Sequence, residues 1–263
     1  MPENVNLVYE ALDRQHQDKP AATRRQVLKG TAGMLGGLGL LSAGMPMNIA
    51  KASNDVQTIL NVATTAEVLA TIVNTVGFKK NLAGDFTTQR NIRAAAREEL
   101  AHYKVLRSLG GSPITKKIWV PDAVFKNREN FLNTLQVGDQ IFVNAYLIAT
   151  ITFGNAGNGA NAAVAAEFMG VEAMHRALAR QSLGLLGNDR VFMKYTQKED
   201  APGAPNKGQP GFTDIEVAVK QLQAAGFGFG EKGKGPGKFF YFEGVRKDTP
   251  HSPDANTYRP VAS

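Results

Sequence analysis

The chain has 263 residues, 43% apolar and 20% charged, with a formal net charge of +7 and no cysteine. This composition fits one or two globular domains and not a disordered chain; the missing thiols exclude disulfides, cysteine nucleophiles and thiolate-held metals or iron–sulfur clusters. The basic residues are spread out, with no dense Lys/Arg block interleaved with aromatics, so nucleic acid is not an expected partner.

Residues 1–22 are polar and mixed in charge, and Thr23-Arg24-Arg25-Gln26-Val27-Leu28-Lys29-Gly30 follows them. A twin arginine followed by an apolar residue, Leu and Lys resembles the signal of the twin-arginine export pathway. Residues 31–49 are Gly-rich and moderately apolar, and Ala50-Lys51-Ala52 supplies an A-x-A cleavage site. The glycines and Pro46 of this stretch argue against a permanent anchor. The expectation is a cleaved signal over 1–52 and a periplasmic or otherwise exported mature chain that does not span the membrane. The export machinery would be its first partner. That pathway carries folded cargo.

The mature chain opens with a predicted helix over 54–78, capped by Asn54 or Asp55, with Gly77 near its end. Its one interior acid is Glu67, flanked at helical spacing by Leu60, Ala63, Ala70 and Thr71. From this helix alone Glu67 is equally a ligand or a surface residue. A second helix spans 85–109, with Asp85 as its cap and Gly110-Gly111-Ser112-Pro113 as its stop. Glu99 and His102 fall within its inward stripe of Ile92, Ala95, Ala96, Tyr103 and Leu106, whereas Glu98 falls on a face assigned to solvent. Residues 110–128, with the only Trp, form a connection long enough for a crossover. The third helix, 129–153, places Asp139 on a stripe with Leu135, Phe142, Val143 and Tyr146. The fourth, 161–186, places Glu172 and His175 on a face with Phe168, Leu178 and Ala179.

Beyond residue 190 the character changes. Residues 196–212 read as a linker or surface loop, 213–225 as a short helix, and 226–242 as alternating glycines, aromatics and lysines. Gly228-x-x-x-x-Gly233-Lys234 matches the first part of a phosphate loop. However, Gly235 stands where Ser or Thr belongs, and no strand-then-helix context surrounds it. An aromatic tail packed on the helices, as a hairpin or at a subunit contact, is the expected alternative, with 243–263 loosely ordered.

Two Glu-x-x-His motifs on separate helices, Glu99/His102 and Glu172/His175, carry the chemistry. A spacing of three puts both side chains on nearly one face, where they can grip one ion together. Without thiols, such a site suits iron or manganese. Only three histidines follow residue 52, and these motifs contain two of them. Each His satisfied by its own helix's Glu is the purely structural alternative.

The order acid, Glu-x-x-His, acid, Glu-x-x-His over residues 54–187 resembles the exported ferritin-like domain proteins, a group within the ferritin-like superfamily. The resemblance implies an all-α fold, a ferritin-like four-helix bundle over 53–190 with its long crossover between helices 2 and 3, and an irregular Gly/aromatic-rich extension over 191–263. It implies two iron or manganese ions held by Glu67, Glu99, His102, Asp139, Glu172 and His175. It implies redox reactions toward dioxygen, peroxide or ferrous iron, and leaves a homo-oligomer open. Asp139 departs from the pattern, which usually has Glu there. The shorter acid leaves a second expectation standing: a non-catalytic structural or stress-related envelope protein with a vestigial site. Tyr103 and Tyr146 are candidates to support the site or relay electrons, with packing the favoured role for each.

Overall fold

The computed structural model describes residues 55–188 and 211–251. The export signal and its cleavage site, and most of the expected linker, lie outside the described residues.

Four long helices dominate: α1 (Val56–Lys79), α2 (Phe86–Ser108), α3 (Arg128–Asn155) and α4 (Gly159–Ser182). Each starts where a short polar side chain can take over an orphan backbone donor. Asp55 accepts from the Thr58 amide at 2.9 Å, Asp85 from the Thr88 amide at 2.8 Å, Asn127 from the Asn130 amide at 2.8 Å and Asn158 from the Asn161 amide at 3.0 Å. Such caps contribute about 1 kcal/mol each. Asn158 caps α4, which starts at Gly159, two residues before the expected Asn161.

Helices α1 and α2 pack as one hairpin, α3 and α4 as another, and the two meet along α1–α3 and α2–α4. Helix α1 is the axis of the fold, with buried residues on every side from Ile59 to Gly77. A helix apolar all round must be covered all round. Among the described residues it is the one helix long and apolar enough to cross a membrane, and 67% of that apolar window is buried inside the fold. At one end Arg128 ties both hairpins together. Its Nε donates to the Ala83 carbonyl in the α1–α2 turn at 2.6 Å, and its guanidinium also donates to the Ser182 carbonyl closing α4.

Close packing sets one position apart. A Cβ on Gly77 would fall 2.1 Å from the ring of Phe131, which is fully buried. Alanine would gain about 1 kcal/mol of helix propensity but would force that ring out of a packed core. Gly77→Ala should therefore lower stability by about 2–3 kcal/mol net, readable as an earlier midpoint in chemical denaturation.

The all-α expectation needs amendment, because the long connection and the C-terminal extension build a sheet together. Strand β1 (Lys117–Pro121) lies between β2 (Gly228–Phe229) and β3 (Gly237–Tyr241), both antiparallel to it. Ile118 faces Phe229 on one side and Phe240 on the other. The described part of the extension, 211–251, is not irregular: it also carries α5 (Ile215–Ala224), which packs on α3, and a short α6 (Phe242–Val245), which packs on α1. Nor is 243–251 loose. Phe242 is fully buried against the Tyr103 ring, and the buried Thr249 hydroxyl lies 2.8 Å from that of Thr75.

The sheet also accounts for the phosphate-loop resemblance. Gly228 pairs with Trp119, and a Cβ there would meet the Glu231 carbonyl at 2.2 Å. A Cβ on Gly233 would meet the Gly226 carbonyl at 2.1 Å. These glycines permit close backbone approach within a turn between strands, and the turn leads into strand β3, not into a helix whose N-terminus could receive a phosphate.

Candidate metal centre

The four long helices bring buried carboxylates and imidazoles to one level of the core. Glu67 comes from α1, Glu99 and His102 from α2, Asp139 from α3, and Glu172 and His175 from α4. Glu67, Glu99 and Glu172 are fully buried, and His102 and Asp139 nearly so. Ligand atoms of Glu67, Glu99, His102 and Glu172 all lie within 4.8 Å of one another, close enough to hold a metal ion.

The distances reveal a two-sided arrangement. His102 Nδ1 lies 3.3 Å from Glu172 Oε1, 3.5 Å from Glu99 Oε2 and 3.7 Å from Glu67 Oε1. His175 Nδ1 lies 3.1 Å from Glu99 Oε1 and 3.6 Å from Glu172 Oε2. Glu99 and Glu172 thus each present one oxygen to each histidine. Glu67 stands on the His102 side. Asp139 is outside the four-residue group and shares a cavity wall with His175.

These contacts do not have hydrogen-bond geometry. Both oxygens of Glu99 and of Glu172, Glu67 Oε2, Asp139 Oδ2 and the Nδ1 atoms of both histidines are buried without a hydrogen-bond partner. Buried polar atoms are normally satisfied, and leaving carboxylate oxygens unpaired costs several kcal/mol. A set of converging, unpaired donors of this type fits a cation in their midst.

Supporting contacts fix several of the donors. The Tyr146 hydroxyl donates a hydrogen bond to Glu67 Oε1. Burial pushes the Tyr146 phenol well above its usual pKa, and the charges of Glu67, Glu172 and Glu99 push it further, so it keeps its proton. The His102 ring stacks on Phe168 with centroids 3.9 Å apart. Glu98 Oε2 lies 2.7 Å from His175 Nε2. This corrects the sequence expectation: Glu98 is only 34% exposed and is the outer partner of His175, not a free surface acid. The need of an inward-facing imidazole for an acceptor on its second nitrogen was the signal that could have found it. Tyr103 is a packing residue, tilted on Phe242.

Crowding four acids in an apolar core shifts their proton equilibria. Burial, reinforced by Glu99 and opposed by His102, raises Glu67 from 4.5 to about 7. Burial and the charges of Glu172 and Glu99 hold Asp139 well above the carboxylate range, against the opposing pull of His175 and Arg176. Burial disfavours both imidazolium ions, but the surrounding carboxylates outweigh it and raise His102 and His175 well above 6.5.

All four shifts have the same sign for stability. Each group holds its proton more tightly folded than unfolded, so its contribution is complete below the unfolded pKa and is lost as pH rises through the folded one. Metal-free protein should therefore lose stability as pH rises from about 4.5 through 7, with Glu67 alone contributing on the order of 3 kcal/mol. Melting curves of chelated protein across that range check this. A melting temperature that rose with pH would contradict it.

A family model described as a ferritin-like domain matches residues 54–185. No curated protein and no solved structure matches the chain.

Proposed function

The chain belongs to the ferritin-like domain family, and on that premise we propose that its buried carboxylate–histidine cluster is a dinuclear iron or manganese centre with a redox role. The observation that carries this reading is the set of unpaired donors just described, with Glu99 and Glu172 each divided between the two histidines. Glu67 and His102 would hold one ion, Asp139 and His175 the other, and Glu99 and Glu172 would bridge them. Four carboxylates neutralise two divalent ions, so the loaded core carries little net charge. When bound, such a pair of ions supplies two-electron chemistry toward dioxygen, peroxide or ferrous iron.

The chain's own residues prepare the site for that role. Glu98 accepts a hydrogen bond from the Nε2–H of His175 and so turns the Nδ1 lone pair inward. Tyr146 keeps its proton and fixes Glu67 through it. Phe168 covers the His102 ring and excludes water from that side. At the His175 end of the cluster, Glu98 and His175 line a surface cavity of about 270 Å³ together with Arg90 and Thr87. That cavity gives peroxide or a ferrous ion a polar approach and gives protons an exit through Glu98.

The twin arginine at Arg24-Arg25 and the A-x-A at Ala50-Lys51-Ala52 support export of the folded protein and its action outside the cytoplasm. Asp139 favours a second reading. It is one methylene shorter than the usual acid and lies outside the four mutually close donors, as expected of a structural bundle whose acids are neutralised by protons. Rapid mixing of anaerobic, ferrous-loaded protein with dioxygen or peroxide separates the two. Oxidation of the protein's iron at least tenfold faster than that of free ferrous ion in the same buffer supports the redox role. Equal rates would leave the structural reading.

A further inference from the structure

One face of the three-stranded sheet is not used by the core. Ile118, Val120 and Phe229 belong to the hydrophobic core, and Phe240 packs against it. Side chains alternate along a strand, so Lys117, Trp119, Phe239 and Tyr241 lie on the other, outer face. There Lys117 stands directly opposite Tyr241, and Trp119 opposite Phe239. The only tryptophan of the chain is thus placed outside the core cluster. Its ring meets that of Phe239 edge to face, with centroids 5.1 Å apart. The turn between β2 and β3 closes over it: a Cβ on Gly233 would fall 2.6 Å from the indole, and one on Gly237 2.7 Å from its Nε1.

Cations sit over these rings. Lys117 Nζ lies 3.9 Å from the Phe239 centroid and Lys232 Nζ 5.4 Å from that of Trp119. Lys234 is exposed in the same turn as Lys232, and Tyr241 is 61% exposed at the end of β3. Other bases of this region are already matched, since Glu243 engages both Lys116 and Arg246. By contrast, Lys117, Lys232 and Lys234 form no ion pair among the described residues. The turn carries a single acid, Glu231, so positive charge is in excess.

We propose that this face docks on an anionic phospholipid surface, with Tyr241 at headgroup level and Lys117, Lys232 and Lys234 against lipid phosphates. Charge selects the partner first: lysines without acids call for an anionic surface and repel a second copy of the same face. The rings select it further. Aromatic bodies crowned by ammonium groups, beside an exposed tyrosine, have the apolar base and polar tip that a membrane interface favours. None of this depends on the metal centre.

Vesicle co-sedimentation of the chain from Ser53 onward tests the proposal; this chain holds every described element and omits the apolar stretch 31–49. It should bind vesicles of equal parts phosphatidylglycerol and phosphatidylcholine, less strongly as salt rises, and should not bind phosphatidylcholine alone. Lys117→Gln/Lys232→Gln should weaken binding by at least about tenfold and flatten its salt dependence, with little change in melting temperature. Tyr241→Ser should weaken binding while leaving the salt dependence as it is. Lys80→Gln/Lys104→Gln removes the same charge from the helices and should bind like wild type. Failure of folded wild type to bind the anionic vesicles, or undiminished binding by Lys117→Gln/Lys232→Gln, would overturn the proposal. So would an equal loss in the helix variant, which would reduce the effect to overall charge. Tighter binding of a duplex oligonucleotide than of the vesicles would also overturn it, by making the face a nucleic-acid surface.

Discussion

Replacing Glu99 and Glu172 together by alanine should take bound iron or manganese from about two ions per chain to essentially none, because the pair would supply both bridges of the centre. Among the described residues, no other side chain has oxygens near both histidines. The isosteric Glu99→Gln/Glu172→Gln variant separates charge from shape: it keeps the volume but removes two of the four negative charges that offset the ions. It should fold and still bind at least tenfold more weakly than wild type. If either variant retained two tightly bound ions, the ligand assignment would be wrong.

Removing the metal from wild type should have the second largest effect. The cluster joins all four long helices, so an ion held there is bound by the folded chain and not by the unfolded one. At a free concentration a thousandfold above its dissociation constant, such an ion adds about 4 kcal/mol. For a chain of this size that corresponds to roughly 8–16 °C in melting temperature. Chelation should produce that fall in wild type and leave Glu99→Ala/Glu172→Ala almost unchanged. The gap between loaded and chelated wild type should widen as pH rises, because protons compete for the same ligand atoms. Equal shifts in wild type and variant would mean that chelation acts elsewhere.

The helices and the inward stripes were legible because each helix states its own period. Glu99, His102, Asp139, Glu172 and His175 lie where that period places them, and Glu67, undecided from its helix alone, is fully buried. Glu98 was not legible in this way. Its neighbours on α2 assign it to solvent, and the partner that draws it inward, His175, belongs to α4. The sheet was hidden for a similar reason. A five-residue strand in a long connection, flanked by strands more than a hundred residues later in the chain, leaves no local period to read. Its glycines are set by close approach to carbonyls of the folded state, which a glycine count does not distinguish from a phosphate loop. Asn144 belongs to the same class: its buried amide pairs with both backbone groups of Phe212, at 2.6 and 3.1 Å, and anchors the chain entering α5.

The two proposed metal positions would not be equivalent. Four donors lie mutually close on the His102 side, whereas Asp139 stands apart on the His175 side. Metal should therefore fill the chain in two steps, the His102 position first. The most direct test is an anaerobic titration of metal-free protein with ferrous or manganous ion, followed by elemental counting after desalting. The account predicts two inflections and a final content of about two ions per chain. One ion would contradict the dinuclear centre, and none would leave a helical bundle whose buried acids are neutralised by protons alone.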